Sequence, residues 1–76
     1  MSSVFSAILY VLRREGGSLD EKELYKKVLD TLQNYDRERE ITFKEFNKAL
    51  LSLETRGLVT VTTLKKNMRV VRLLSK

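Results

Sequence analysis

Cysteine, histidine, proline and tryptophan are all missing from this 76-residue chain, and glycine occurs only three times. Without cysteine there is no disulfide and no thiolate metal site. Without histidine the commonest neutral-pH proton shuttle and imidazole ligand are gone too. A chain this short lies near the lower limit for one core without such staples, so its stability must come from packing. No apolar run approaches the roughly 18 residues of a membrane span. The N-terminal stretch has neither a leading basic segment nor a small-residue cleavage site, so an intracellular, cytoplasmic protein is expected. Also missing are a glycine-rich phosphate loop, metal-ligand spacing and a nucleophile paired with a base. No enzymatic activity, metal or cofactor is therefore expected. The run Asp36-Arg37-Glu38-Arg39-Glu40 alternates in sign, which marks a solvated, self-neutralised surface rather than a carboxylate site.

What the chain does have is charge, unevenly placed. Fifteen Lys and Arg against ten Asp and Glu give a formal charge of +5. All of that surplus sits after residue 56, where Lys65, Lys66, Arg69, Arg72 and Lys76 occur with no acid, while the preceding residues balance. A cationic segment of this kind suits an anionic partner.

Glycine punctuates the chain at two places, Gly16-Gly17 and Gly57. Ahead of the first, residues 3–15 carry Val4, Ile8, Val11 and Leu12 as one helical stripe, widened by Phe5, Ala7 and Leu9. So broad an apolar face makes this helix central to the core and leaves room for a homodimer. A second helix over about residues 20–33 starts from Ser18 or Asp20, since Ser18-x-x-Glu21 and Asp20-x-x-Glu23 both have capping-box spacing. Leu24, Val28 and Leu32 form its inner stripe. After a mixed-charge connection, Thr42 and Glu45 form a third capping box, with Ile41 placed to staple onto Phe46, so a third helix is expected over residues 42–56. Beyond Gly57 the period drops to two. Leu58–Thr63 and Met68–Leu73 read as strands of a hairpin over residues 58–73, joined by the four-residue loop Leu64-Lys65-Lys66-Asn67, with Asn67 best suited to positive φ. Register would turn Val59, Val61, Val71 and Leu73 toward the helices.

Three helices followed by a hairpin, with Leu50, Leu53, Glu54, Arg56, Gly57, Leu58 and Val59 at the passage from helix to strand and Val71-Arg72-Leu73 returning, resemble the winged helix-turn-helix family over nearly the whole chain. The resemblance implies an α+β domain with a two-stranded wing, and Gly16-Gly17-Ser18-Leu19 looks like the short first strand that often pairs with it. It implies binding of double-stranded DNA by a small transcription regulator or a chromatin- or replication-associated protein. The alternative is a protein-interaction subunit of a replication or transcription complex. The connection from Asn34 to Ile41 is longer than in a compact helix-turn-helix.

The candidate DNA-binding residues follow. On the third helix, Lys44, Asn47, Lys48, Leu51 and Thr55 share the side away from Phe43, Phe46, Leu50 and Leu53. Asn pairs with adenine, and lysines reach guanine edges or phosphates. The same residues also make an ordinary wet helix face. Leu51 suits a thymine methyl, a protein partner or the wing packing across the helix. At the wing, Lys65, Lys66, Asn67 and Arg69 are placed to contact phosphates. The same lysines would serve a hairpin that merely needs solubility or a protected edge. Arg13 and Arg14 end the first helix, where the dipole favours cations in any case.

Overall fold

The computed structural model describes residues 3–38 and 40–74, the side chain of Ser3 excepted. The chain runs α1 (Ser3–Arg14), β1 (Ser18–Asp20), α2 (Glu21–Tyr35), α3 (Phe43–Thr55), β2 (Val59–Lys65) and β3 (Met68–Leu73). This is an α+β arrangement of three helices and an antiparallel sheet in the order β1-β3-β2. The sheet therefore has three strands, not the two of the hairpin alone. Ser18, Leu19 and Asp20 pair with Arg72, Val71 and Val70, so a third strand caps the free side of β3 near the hairpin's base.

Both glycine breaks end helices in the same way. Gly16 and Gly57 adopt φ of 90° and 78°, a left-handed turn that glycine makes without a Cβ penalty. After α1, the amide of Gly17 reaches back to the Leu12 carbonyl; after α3, that of Leu58 reaches the Leu53 carbonyl at 2.9 Å. With the companion bonds from Gly16 N–H to the Arg13 carbonyl and from Gly57 N–H to the Glu54 carbonyl, these make Schellman caps and satisfy carbonyls that a helix end leaves open.

For α2, Asp20 rather than Ser18 is the N-cap, its carboxylate accepting from the amides of Lys22 and Glu23. The helix runs on to Tyr35, past the boundary its periodicity suggested, and so shortens the connection to α3. The Thr42–Glu45 capping box forms in full: Glu45 N–H donates to the Thr42 hydroxyl at 3.1 Å and Thr42 N–H to the Glu45 carboxylate at 3.0 Å. What sets the direction of α3 lies elsewhere. The Tyr25 hydroxyl of α2 donates to the Ile41 carbonyl at 2.7 Å, one residue before the cap. The Tyr25 ring packs edge-on to Phe43 at 5.2 Å and tilted against Phe46 at 5.3 Å. The long connection is thus pinned at its far end.

The core lies between the helices and one sheet face. Ile8 and Leu12, Leu24 and Val28, Phe46, Leu50 and Leu53, and Val59 and Val71 are its most enclosed side chains. Phe43, expected on the buried stripe of α3, sits at the rim and is half exposed. Val59 pairs with Leu73 and Val61 with Val71, so the expected inward face of the hairpin is formed. The connecting loop differs from expectation. Strand β2 continues to Lys65, only Lys66 and Asn67 turn the chain, and no described residue other than glycine has positive φ, Asn67 included. Leu64 is an extra residue in β2, inserted where the register shifts between Thr63 and Lys65. Such a bulge adds local twist, and that twist lets the strands meet around a short turn without a left-handed residue. Among the described residues no helix is long and apolar enough to cross a membrane.

Candidate nucleic-acid interface

Strand β2 leaves α3 directly through Gly57, so the hairpin and the third helix are neighbours in space as well as in sequence. Val61 of β2 and Arg69 of β3 line a shallow depression of about 200 Å³ with Asn47, Leu50, Leu51 and Glu54 of α3. Three of the candidate residues, Asn47, Leu51 and Arg69, thus converge on one groove. Lys48 faces the other flank of α3, where it borders an open cleft of about 390 Å³ with Val4, Phe5, Glu40 and Glu45. Lys44 and Thr55 stand exposed near opposite ends of the helix, roughly 16 Å apart at the helical rise. Lys65, Lys66 and Asn67 occupy the hairpin tip. Lys76 and Arg39 lie outside the described residues.

The hairpin does not cover Leu51. Although it shares the groove with Val61, Leu51 keeps 63% of its surface exposed. Packing of the hairpin across the helix is therefore not what this leucine does.

Electrostatics separate the helix from the hairpin. Within α3, Lys44 and Lys48 are matched by Glu45 and Glu54, one carboxylate on each flank of the outer stripe. At its C-cap, the Arg56 guanidinium lies 5.4 Å from the centre of the Phe5 ring and is held against α1. The net cation excess thus belongs to the strands, but one of their charges is spoken for. Arg69 reaches a carboxylate oxygen of Glu21 at 3.3 Å. Glu21 opens α2 and is 6% exposed, and the oxygen that Arg69 reaches, Oε2, is buried with no hydrogen bond among the described residues, so the ion pair is its one polar contact there. A buried carboxylate needs a countercharge, and Arg69, on the inward parity of β3, supplies it. Arg69 thus serves Glu21 as well as standing among the candidate phosphate contacts, and its side chain remains 45% exposed. None of the ion pairs among the described residues engages Lys44, Lys48, Lys65 or Lys66.

Three contributors escaped the sequence. Glu21 was legible as a capping residue for Ser18, and only the choice of Asp20 as cap turns it inward. Leu64 and Met68 stand exposed at the hairpin tip. Their signal was Leu64 itself, a large apolar residue directly after the threonine-rich segment Thr60–Thr63.

No protein-family profile, curated protein or solved structure matches the chain. Among the described residues no cluster of His, Cys, Asp or Glu is arranged to hold a metal ion.

Proposed function

We propose that this chain is a winged-helix domain that binds double-stranded DNA, with α3 entering the major groove and the β2–β3 hairpin on the flanking backbone. The observation that carries the reading is the hairpin. Its outer half, residues 62–69, is exposed throughout and extends past the short β1; it bears Lys65 and Lys66, which no ion pair among the described residues engages, and Val61 and Arg69 of the same hairpin border α3. Cations on a projecting ribbon next to a solvent-facing helix form one continuous surface for a duplex. Asn47, at the groove, is the residue for base readout; Lys44 and Lys48 add phosphate or guanine contacts; Thr55 closes the stripe. Because α3 itself is neutral, affinity rests on the hairpin and specificity on the helix.

The test is a salt titration of duplex binding. With about 4 to 6 phosphate contacts, log affinity should fall against log salt with a slope of about −4 to −5. Replacing Lys65 and Lys66 together by alanine should reduce that slope by about 2. A slope near zero, or one that ignores the double substitution, would reject the reading.

A second reading, a protein-docking subunit of a replication or transcription assembly, is favoured by one observation. Exposed Leu51 and the carboxylate of Glu54 share the groove beside Val61, an apolar and acidic combination suited to a protein surface. A stoichiometric protein partner lost on Leu51→Ala, with no retention on duplex DNA, would select it.

A further inference from the structure

The hairpin tip is not purely polar. Leu64 keeps 59% of its surface exposed and Met68 40%. The bulge stands Leu64 and Lys65 together against Met68, so two large apolar side chains and a lysine crowd the last rung before the turn. Nothing in the core explains them, because the inward face of the hairpin is complete with Val59, Val61, Val71 and Leu73. Where the same ribbon meets only water it uses Thr62 and Thr63.

A leucine and a methionine on either side of two lysines at a projecting tip match a particular chemistry. In the minor groove, apolar side chains enter between base steps while cations hold the adjacent phosphates. Resting on the DNA reading above, we propose that Leu64, backed by Met68, is a wedge that partly unstacks one base step and bends the duplex, with Lys65 and Lys66 gripping the phosphates on either side. An anionic lipid surface offers similar chemistry. Two side chains with no amphipathic helix alongside are a small anchor for a bilayer, but they match the size of one base step. The wedge works best at pyrimidine–purine steps, which unstack most readily.

The test uses the full chain and short duplexes carrying a donor and an acceptor dye at their ends, with either a central TA step or an A-tract. Binding of the wild type should bend the TA duplex by roughly 20–90°. The Leu64→Ser and Met68→Thr variants change exposed positions, so each should keep the wild-type circular dichroism spectrum and salt slope while leaving the duplex straighter. Lys65→Ala with Lys66→Ala should instead lower the slope. Tight binding by the wild type without bending, or undiminished bending by Leu64→Ser, overturns the wedge while the DNA reading stands. No retention on either duplex at low salt removes both. Capture by phosphatidylserine vesicles that is lost in Leu64→Ser, without DNA bending, assigns the tip to lipid and overturns the proposal.

Discussion

Arg69 illustrates how a single contact re-sorts the charges of this protein. By sequence it belongs with Lys65 and Lys66 in one cationic segment, yet its 3.3 Å approach to Glu21 makes it a structural partner as well. Two measurements separate the roles. Arg69→Ala leaves a buried carboxylate without its countercharge and should lower the unfolding free energy by about 1–3 kcal/mol, read from urea denaturation. The same substitution should change the salt slope of DNA binding less than the loss of either lysine. Replacing both members of the pair by leucine should recover most of the stability, because the penalty lies in the orphaned charge. Gly57 poses a different residue-scale question. A Cβ there meets no neighbour, but φ is 78°, so Gly57→Ala should cost about 1 kcal/mol through backbone strain alone. A melting temperature lowered by about 4–8 °C would register it.

At the scale of elements, the placement of α3 matters most, since its outer stripe is the proposed reading surface. The helix itself is local in origin. Thr42 and Glu45 begin it, Gly57 ends it, and Thr42→Ala should cost about 1 kcal/mol, seen as earlier thermal loss of helical dichroism. Its direction is not local. The Tyr25 hydroxyl bond to Ile41 and the Tyr25–Phe43–Phe46 ring cluster hold the chain as it enters the helix. Tyr25→Phe keeps the rings and removes only the bond, so it should destabilise by about 1 kcal/mol. It should also weaken duplex binding more than Thr42→Ala does when both are compared well below their melting temperatures, because it loosens an angle rather than shortening a helix. The hairpin divides in the same way. Its inward face was readable from the alternation of Val59, Val61, Val71 and Leu73. The bulge at Leu64 was not, because an extra residue in a strand has no signature separate from the loop it adjoins.

For the whole molecule the margin is narrow. A domain of this size has a stability of roughly 4–11 kcal/mol, and a single core holds all three helices and the sheet together. Phe46 is fully enclosed at the centre, in contact with the Tyr25 ring. Phe46→Ala should therefore cost about 3–5 kcal/mol, a large share of that margin, and lower the melting temperature steeply, as calorimetry or dichroism would show. The charge of the whole molecule acts separately from this core. Lys65 and Lys66 project where the described chain places no acid against them, so altering them should change binding without changing the melting temperature.

Composition and local pattern by themselves determined the three helices, the cap of α3, the glycine breaks, the inward face of the hairpin and the cationic bias of the C-terminal segment. Each of these depends on residues within a turn or a rung of one another, which is the range over which side-chain period and capping chemistry act. Tertiary structure alone decided the register by which Ser18–Asp20, near where the family resemblance implied a short first strand, pairs with β3, that Glu21 claims Arg69, that Tyr25 aims α3, and that Leu51, Leu64 and Met68 stay uncovered. Those outcomes turn on which groups meet across the core, or fail to meet. Such meetings depend on the balance of burial, hydrogen bonding and charge pairing over distant parts of the chain, which no local spacing records.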